Sequence, residues 1–109
     1  MAREIEREVE KKYSEDGSIL FETPRINGVV DGCVKMYNPP GNFARSVDYY
    51  GGLLHGFSKD YYGSGQLERV RSYTYGEKHG KELHYNELGE IVREIEFING
   101  VETDLIDPV

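Results

Sequence analysis

The segment GEKHGKELHYNELG, residues 76–89, carries the spacing that decides the fold of this chain. It opens on two glycines separated by three residues, and it closes on a tyrosine and a glycine separated by three residues. The same residue types return every 24 positions along the chain. The recurring positions are Tyr13, Tyr37, Tyr61 and Tyr85; Gly17, Gly41, Gly65 and Gly89; Gly28, Gly52, Gly76 and Gly100; and Gly32, Gly56 and Gly80. A period of this length predicts a repeat protein in which each unit packs against its neighbours in sequence.

Glycines at fixed positions indicate turns, because glycine adopts positive φ without steric cost. We therefore predict connections at 76–80 and 85–89 and at the equivalent places in the other units, with strands between them. The predicted strands lie near 18–26, 33–37, 42–50, 57–61, 66–75, 81–85 and 90–98. Since each connection is short, neighbouring strands must pair antiparallel. The sequence thus predicts an all-β fold, a single-layer elongated antiparallel β-meander of hairpin repeats.

A chain of 109 residues is expected to form one domain over 1–109. Its repeats would cover about 13–36, 37–60, 61–84 and 85–108, with an N-terminal strand or cap over 1–12. In that first segment Ile5, Val9 and Tyr13 fit a strand in phase with the array, which we prefer, but their spacing also fits a helix. The tail at 105–109 is expected to cap the other end.

The charge of the chain narrows the choice of partner. A formal net charge of −7 and a pI near 4.9 disfavour binding to nucleic acid or to an anionic membrane, and they favour a basic protein partner. No apolar stretch approaches the roughly 20 residues of a membrane helix. Cys33 is the single cysteine, which excludes intramolecular disulfides, so we expect a cytoplasmic protein.

The unit resembles the MORN repeat in its bacterial variant form, on the strength of Asn99-Gly100 and of the 76–89 segment. The resemblance covers 13–101, and Pro39-Pro40 departs from the small polar residues usual at that place. It implies an antitoxin of the YwqK type. Together with the small size, the acidity and the absence of catalytic residues, it leads us to expect a non-enzymatic protein-binding module that acts as an antitoxin or immunity-like inhibitor of a toxin, effector or nuclease, one version being a phage-borne inhibitor of a host defence nuclease such as an anti-CRISPR. The alternative that it implies is a MORN-type scaffold that self-associates or attaches to a membrane surface.

Side chains alternate between the two faces of a strand, and the even period preserves residue parity from one unit to the next. If no bulge changes the register, odd positions form an apolar and basic face and even positions form an acidic one. The acidic face would carry Asp48, Asp60, Glu68, Glu82, Glu94 and Glu96. These six residues are either a solvated surface or the docking surface for the basic partner, and we predict the latter.

Arg45, Arg69 and Arg93 occupy one position of the repeat on the predicted apolar face. We expect their guanidinium groups to stack between tyrosine rings. A platform for single-stranded nucleic acid or another anionic ligand is the alternative, and the net negative charge disfavours it.

No catalytic constellation is recognisable, so we predict that the protein is not an enzyme and needs no cofactor or metal. His55 and His79 share a repeat position, but equivalent atoms two strands apart lie about 10 Å from each other, too far for one zinc ion. Cys33 lacks a partner cysteine and is expected to pack as a small hydrophobic residue. Because a single sheet leaves two edges and one apolar face uncovered, we expect a homodimer or a stable complex with the partner.

Overall fold

The computed structural model describes residues 6–103, which form eleven β-strands and no helix that could cross a membrane. The strands are β1 Glu8–Tyr13, β2 Ile19–Ile26, β3 Val29–Val30, β4 Gly32–Asn38, β5 Asn42–Tyr50, β6 Leu53–Tyr61, β7 Leu67–Thr74, β8 Glu77–Lys78, β9 Gly80–Tyr85, β10 Ile91–Ile98 and β11 Val101–Glu102. The predicted N-terminal strand is confirmed by β1. The predictions for Ile5 and for the tail at 105–109 lie outside the described residues.

All strands belong to one sheet in the order β1-β2-β4-β5-β6-β7-β9-β10-β11, while β3 pairs with β2 and β8 pairs with β7. Every pairing is antiparallel, and each joins consecutive strands except β2 with β4 and β7 with β9, which pair past the two-residue strands β3 and β8. The sheet is a thin body with principal extents of 52 × 39 × 23 Å. The predicted single-layer antiparallel meander is therefore confirmed.

One connection of each unit is a two-residue turn with positive φ at both central positions. Asn27 and Gly28 have φ values of 49° and 81°, and Asn99 and Gly100 have 49° and 84°. Positive φ at both positions is the signature of a type I′ turn, which matches the twist of a hairpin. The predicted connection at 76–80 is wrong in detail, because the turn lies at Tyr75 and Gly76 and residues 77–78 already form β8.

The other connection of each unit is longer and is followed by a shift in register. In one unit Tyr62 donates its backbone N–H to the carbonyl of Gln66, and Gly65 donates to Tyr62. Just beyond these turns one residue is left without a direct partner in the ladder, as a β-bulge requires. The bulged residues are Leu20, Ala44, Glu68 and Val92, one in each repeat.

The interior is mainly a row of side chains that crosses the middle of the sheet on one face, and Pro24 and Asp31 are buried outside it. Val34, Val47, Ser58 and Arg71 lie directly opposite one another on β4 to β7, and Glu82 and Ile95, opposite each other on β9 and β10, continue the row next to Arg71. Val47 is 3% exposed and Ser58 is 1% exposed. Beside this row Tyr49, Tyr73 and Phe97 each lie opposite a glycine. A domain this thin buries little apolar side chain, which agrees with its small size.

Neighbouring hairpins are also joined at their tips by backbone hydrogen bonds. Gly52 donates its N–H to the carbonyl of Val30, Gly76 donates to Leu54, and Gly100 donates to Lys78, at 2.7–2.8 Å. The bonds repeat with the period of the sequence. Each turn is therefore fixed against the hairpin that precedes it, and the tips form a continuous edge of the sheet.

Candidate functional site

The pairing register decides which side chains share a face. Residues directly opposite in an antiparallel ladder point to the same side of the sheet. Across the middle of the sheet such pairs join an odd-numbered residue to an even-numbered one, as in Val34 with Val47 and Arg45 with Asp60, and pairs of equal parity occur only between a bulge and the longer connection beside it. A two-residue turn causes this, since it pairs Tyr50 with Leu53, three positions later. The predicted division into an odd basic face and an even acidic face is therefore wrong.

Each face instead carries both signs of charge. We call the side with the buried row the inner face, and it also carries Arg45, Asp60, Arg69, His84 and Arg93. We call the opposite side the outer face, and it carries Lys35, Ser46, Lys59, Val70, Leu83 and Glu94. The six acids predicted to form one docking surface are thus divided between two surfaces.

Asp60 lies on the inner face between two arginines. Its Oδ1 atom is 3.3 Å from Nε of Arg45, and its Oδ2 atom is 3.3 Å from Nε of Arg69. One carboxylate therefore bridges two guanidinium groups on the neighbouring strands. Nε of Arg69 donates a hydrogen bond to Asp60, whereas Arg45 pairs with Asp60 by charge without one. Asp60 therefore links three neighbouring strands in the middle of the sheet.

Glu82 is 6% exposed and is the centre of a second ionic cluster on the same face. Its carboxylate lies 3.1 Å from Nζ of Lys78, 3.5 Å from Nε of Arg71 and 2.7 Å from Nε2 of His84. Burial works to raise the pKa of Glu82, but the hydrogen bonds from His84 and Lys78 and the nearby positive charges outweigh it. The pKa of Glu82 therefore lies below its ordinary value, and the carboxylate is ionised at neutral pH.

Three of the predicted acids, Asp48, Glu94 and Glu96, lie on the outer face. Asp48 accepts the backbone N–H of Phe57 at 2.9 Å, and a Cβ on Gly56 would lie only 2.7 Å from the Asp48 carboxylate, so this position requires glycine. Glu94 forms an exposed ion pair with Lys81 at 2.8 Å. The sixth predicted acid, Glu68, falls at a bulge and is half-buried.

The predicted stacking of arginines between tyrosine rings is not observed among residues 6–103. Lysines make the cation–ring contacts there, with Nζ of Lys78 at 4.6 Å from the centroid of Phe97 and Nζ of Lys59 at 5.8 Å from that of Phe57. The reason lies in the register, which sets Asp60 between Arg45 and Arg69. A carboxylate at that distance holds a guanidinium group more strongly than a partly exposed ring does.

The C-terminal hairpin, residues 86–103, is the part of the sheet in which exposed apolar and acidic side chains are most concentrated. Leu88 is 84% exposed and Val101 is 68% exposed. The exposed large apolar residues there are Leu88, Ile91, Val92, Ile98 and Val101. The acids of the hairpin are Glu87, Glu90, Glu94, Glu96 and Glu102, and Arg93 is its one basic residue.

Sequence reasoning missed this hairpin, although a signal was available. Leu88 stands where the earlier repeats have Asp16, Pro40 and Ser64, so the last unit replaces polar or turn-forming residues by an exposed leucine. In the same unit Val92 replaces the glutamate of the preceding repeat. A comparison of the repeats position by position, rather than of their shared residues, would have identified the last hairpin as different.

Cys33 lies on the outer face, half-buried beside a cleft of about 250 Å³. Burial and the neighbouring Asp48 carboxylate raise the pKa of the Cys33 thiol, which disfavours the thiolate. The cleft is lined by Arg7, Val9, Glu22, Pro24, Gly32, Cys33 and Lys35. The environment agrees with the predicted role of Cys33 as a packing residue.

His55 and His79 act as turn residues, because each accepts a backbone N–H from the turn that follows one repeat later. Within residues 6–103 no three His, Cys, Asp or Glu side chains gather into a possible metal site. Comparison with known proteins gives no match, whether with family models, with curated proteins or with solved structures.

Proposed function

We propose that this chain is a non-enzymatic protein-binding module that inhibits a basic protein, such as a toxin, an effector or a nuclease, in the manner of an antitoxin or immunity protein. It docks through the C-terminal hairpin. The observation that carries this proposal is the concentration there of five exposed large apolar residues and five glutamates.

Exposed apolar residues and surrounding carboxylates have separate roles in such a surface. Exposed apolar side chains mark interaction sites, because their burial against a partner supplies affinity. Here Leu88, Ile91 and Val92 lie at one end of β10 and Ile98 and Val101 at the other, so the partner would cover the length of the strand. Carboxylates around them select a positively charged partner and increase the rate of encounter. Glu94 and Glu96, two of the acids expected to bind the partner, belong to this hairpin, and Glu87 and Glu90 add to its charge.

The edge of the sheet offers a second means of attachment. Among the described residues, β10 pairs on its far side only with β11, over Phe97 and Ile98. The carbonyl of Glu96 accepts the backbone N–H of Thr103, so the backbone over 91–95 is the part that can accept a further strand. A partner that adds a basic strand here would gain backbone hydrogen bonds while its cations lie beside the glutamates.

The antitoxin class comes from the resemblance to bacterial MORN-type repeats, and the scaffold class is its rival. An open edge also suits self-association, so it does not distinguish an inhibitor from a scaffold. The following experiment separates these two functions. Immobilised wild-type protein is used to capture partners from an extract of its source cells, and the captured protein is then assayed for its own activity with and without the purified chain. We expect one basic protein in stoichiometric amount, released at high salt because exposed charges are screened, and inhibited when bound.

The matched variants are E90K/E94K in the hairpin and E6K/E8K at the opposite end of the sheet. Both change the charge equally and at exposed positions, so both should fold as judged by circular dichroism. We expect E90K/E94K to lose the partner and E6K/E8K to keep it. Equal capture by both variants, or sedimentation of the wild type with anionic vesicles at physiological salt, would favour the scaffold.

A further inference from the structure

Arginine recurs on the inner face at one position of three successive repeats. Arg45, Arg69 and Arg93 lie on β5, β7 and β10, and the strands between them place Asp60 in the first gap and His84 in the second. Strands in a sheet are about 4.8 Å apart, so the backbones of neighbouring arginines in this row are about 10 Å apart. The two gaps have the same register and differ in the residue that occupies the middle.

The first gap contains a carboxylate supplied by the chain itself. Asp60 contacts Arg45 through one oxygen and Arg69 through the other, each at 3.3 Å. Arginines in this arrangement can therefore reach a single carboxylate from both sides. A planar guanidinium has five donors, and Asp60 takes Nε of Arg69, so the terminal amino groups of Arg69 are available for another acceptor.

The second gap has no carboxylate between its arginines. His84 stands where Asp60 stands in the preceding repeat, and its Nε2 atom is held 2.7 Å from Glu82. Glu82 is engaged in turn by Lys78 and Arg71. Arg93 is exposed and forms no ion pair with the carboxylates of residues 6–103.

We infer that the gap between Arg69 and Arg93, above His84, binds a carboxylate group of a ligand in the way that Asp60 occupies the first gap. The local charge favours an anion, although the chain as a whole is acidic. Among the paired positions of the inner face between β5 and β10, the cations Arg45, Arg69, Arg71, Lys78 and Arg93 face two carboxylates, Asp60 and Glu82, while Glu68 lies at the bulge beside Arg69. A carboxylate rather than a larger anion is assigned because the chain itself places a carboxylate at the equivalent position.

The test uses glutarate as the probe and follows the Nε–H signals of Arg69 and Arg93 by NMR at constant ionic strength. It is independent of the protein partner proposed above, because it measures a small molecule on the inner face. We expect saturable shifts of both signals in the wild type. R93Q should bind about tenfold more weakly, because a charge-assisted hydrogen bond is lost. K81Q removes the same charge on the outer face and should bind like the wild type.

A second variant, E82S/H84D, transfers the Ser58 and Asp60 arrangement into the next repeat and supplies an internal carboxylate. It should no longer respond to glutarate. Unchanged affinity in folded R93Q would overturn the assignment, as would shifts that follow ionic strength alone. Tighter binding of inorganic phosphate than of glutarate would show that the site does not select a carboxylate. If E82S/H84D does not fold, the glutarate affinities of R93Q and K81Q still decide whether the site exists.

Discussion

The imidazole of His79 accepts a hydrogen bond at Nδ1 from the backbone N–H of Asn99, which lies 3.2 Å away and 20 residues later in the chain. His55 makes the equivalent bond to Tyr75 at 3.1 Å. Both histidines stand at the same place in their repeats and hold the first residue of the next turn. These side-chain bonds therefore reinforce the backbone hydrogen bonds that join the hairpin tips. Both kinds of bond recur with the 24-residue period of the sequence.

His79→Ala should destabilise the protein by about 1 kcal/mol, the usual net value of one hydrogen bond. His79→Asp should recover much of that loss, because Asp31 occupies the same repeat position and accepts the N–H of Gly51 at 2.8 Å. Urea unfolding at neutral pH measures both differences. If alanine and aspartate were equally destabilising, the hydrogen bond would contribute nothing and packing of the ring would be the cause.

Glu82 should make the stability of the fold depend on pH in acid. Its pKa is lower in the folded state than the ordinary value of 4.5, so the folded state favours the ionised carboxylate. The stabilisation is present above that ordinary value and is lost as pH falls through the lower pKa of the folded state. We expect the melting temperature to fall less steeply with acid in Glu82→Gln than in the wild type.

The same variant should be less stable at neutral pH, by about 1–3 kcal/mol, because Lys78 and Arg71 lose the charge that pairs with them. Glu94→Gln provides the control, since the Glu94 carboxylate is exposed in its pair with Lys81. Exposed pairs contribute little. Thermal melts at several pH values should therefore show a lower melting temperature at neutral pH for Glu82→Gln than for the wild type or Glu94→Gln.

Tyr75 is a strained residue, because its φ of 42° lies in the left-handed region that a bulky side chain rarely adopts. The equivalent positions hold Asn27, Gly51 and Asn99, which tolerate that region. The ring of Tyr75 lies 4.3 Å from that of His55 but is 60% exposed. Backbone strain of about 1–3 kcal/mol at Tyr75 exceeds the stabilisation that its partly exposed ring gains from the contact with His55.

Tyr75→Asn should therefore stabilise the protein by about 1 kcal/mol, seen as a higher midpoint in urea. The reverse change at an equivalent turn, Asn99→Tyr, should destabilise it by a similar amount. A lower midpoint for Tyr75→Asn would mean that the contact with His55 outweighs the backbone strain.

Phe43 and Phe57 should behave differently when each is replaced by alanine. The ring of Phe43 packs between Tyr37 at 5.4 Å and Tyr61 at 4.9 Å, so its loss should cost about 2–3 kcal/mol, somewhat less than for a fully buried phenylalanine. Phe57 is 50% exposed on the outer face. Phe57→Ala should cost less than about 1 kcal/mol in the isolated chain.

The homodimer that the open sheet predicts would give Phe57 a second role. If a second copy covers the outer face, Phe57→Ala should weaken self-association, measured by light scattering over a range of concentrations. Phe43→Ala, compared under conditions where it remains folded, should associate like the wild type. A mass near 12.5 kDa at all concentrations for the wild type would contradict the dimer.

The hairpins were predictable because their turns are local. Asn27-Gly28 and Asn99-Gly100 are dipeptides that adopt positive φ at both positions, and the observed strands follow from their spacing. The exposed apolar residues of the C-terminal hairpin were not predicted as a binding surface, because the residues that distinguish this hairpin depart from the repeat. Ile91 and Val92 are exposed on β10, which has no neighbouring strand at these positions on its far side among the described residues, and no local pattern reveals which strands are neighbours.

The sequence by itself determined the period of 24 residues, the strands and the antiparallel meander, because glycines and tyrosines at constant spacing leave the chain few other ways to turn. Only the tertiary structure decided which charges meet. A two-residue turn pairs residues three apart, and a bulge such as Ala44 preserves that odd offset across the longer connection. Asp60 therefore lies between Arg45 and Arg69 rather than on the opposite face, since one position of register transfers every side chain of a strand to the other side of the sheet.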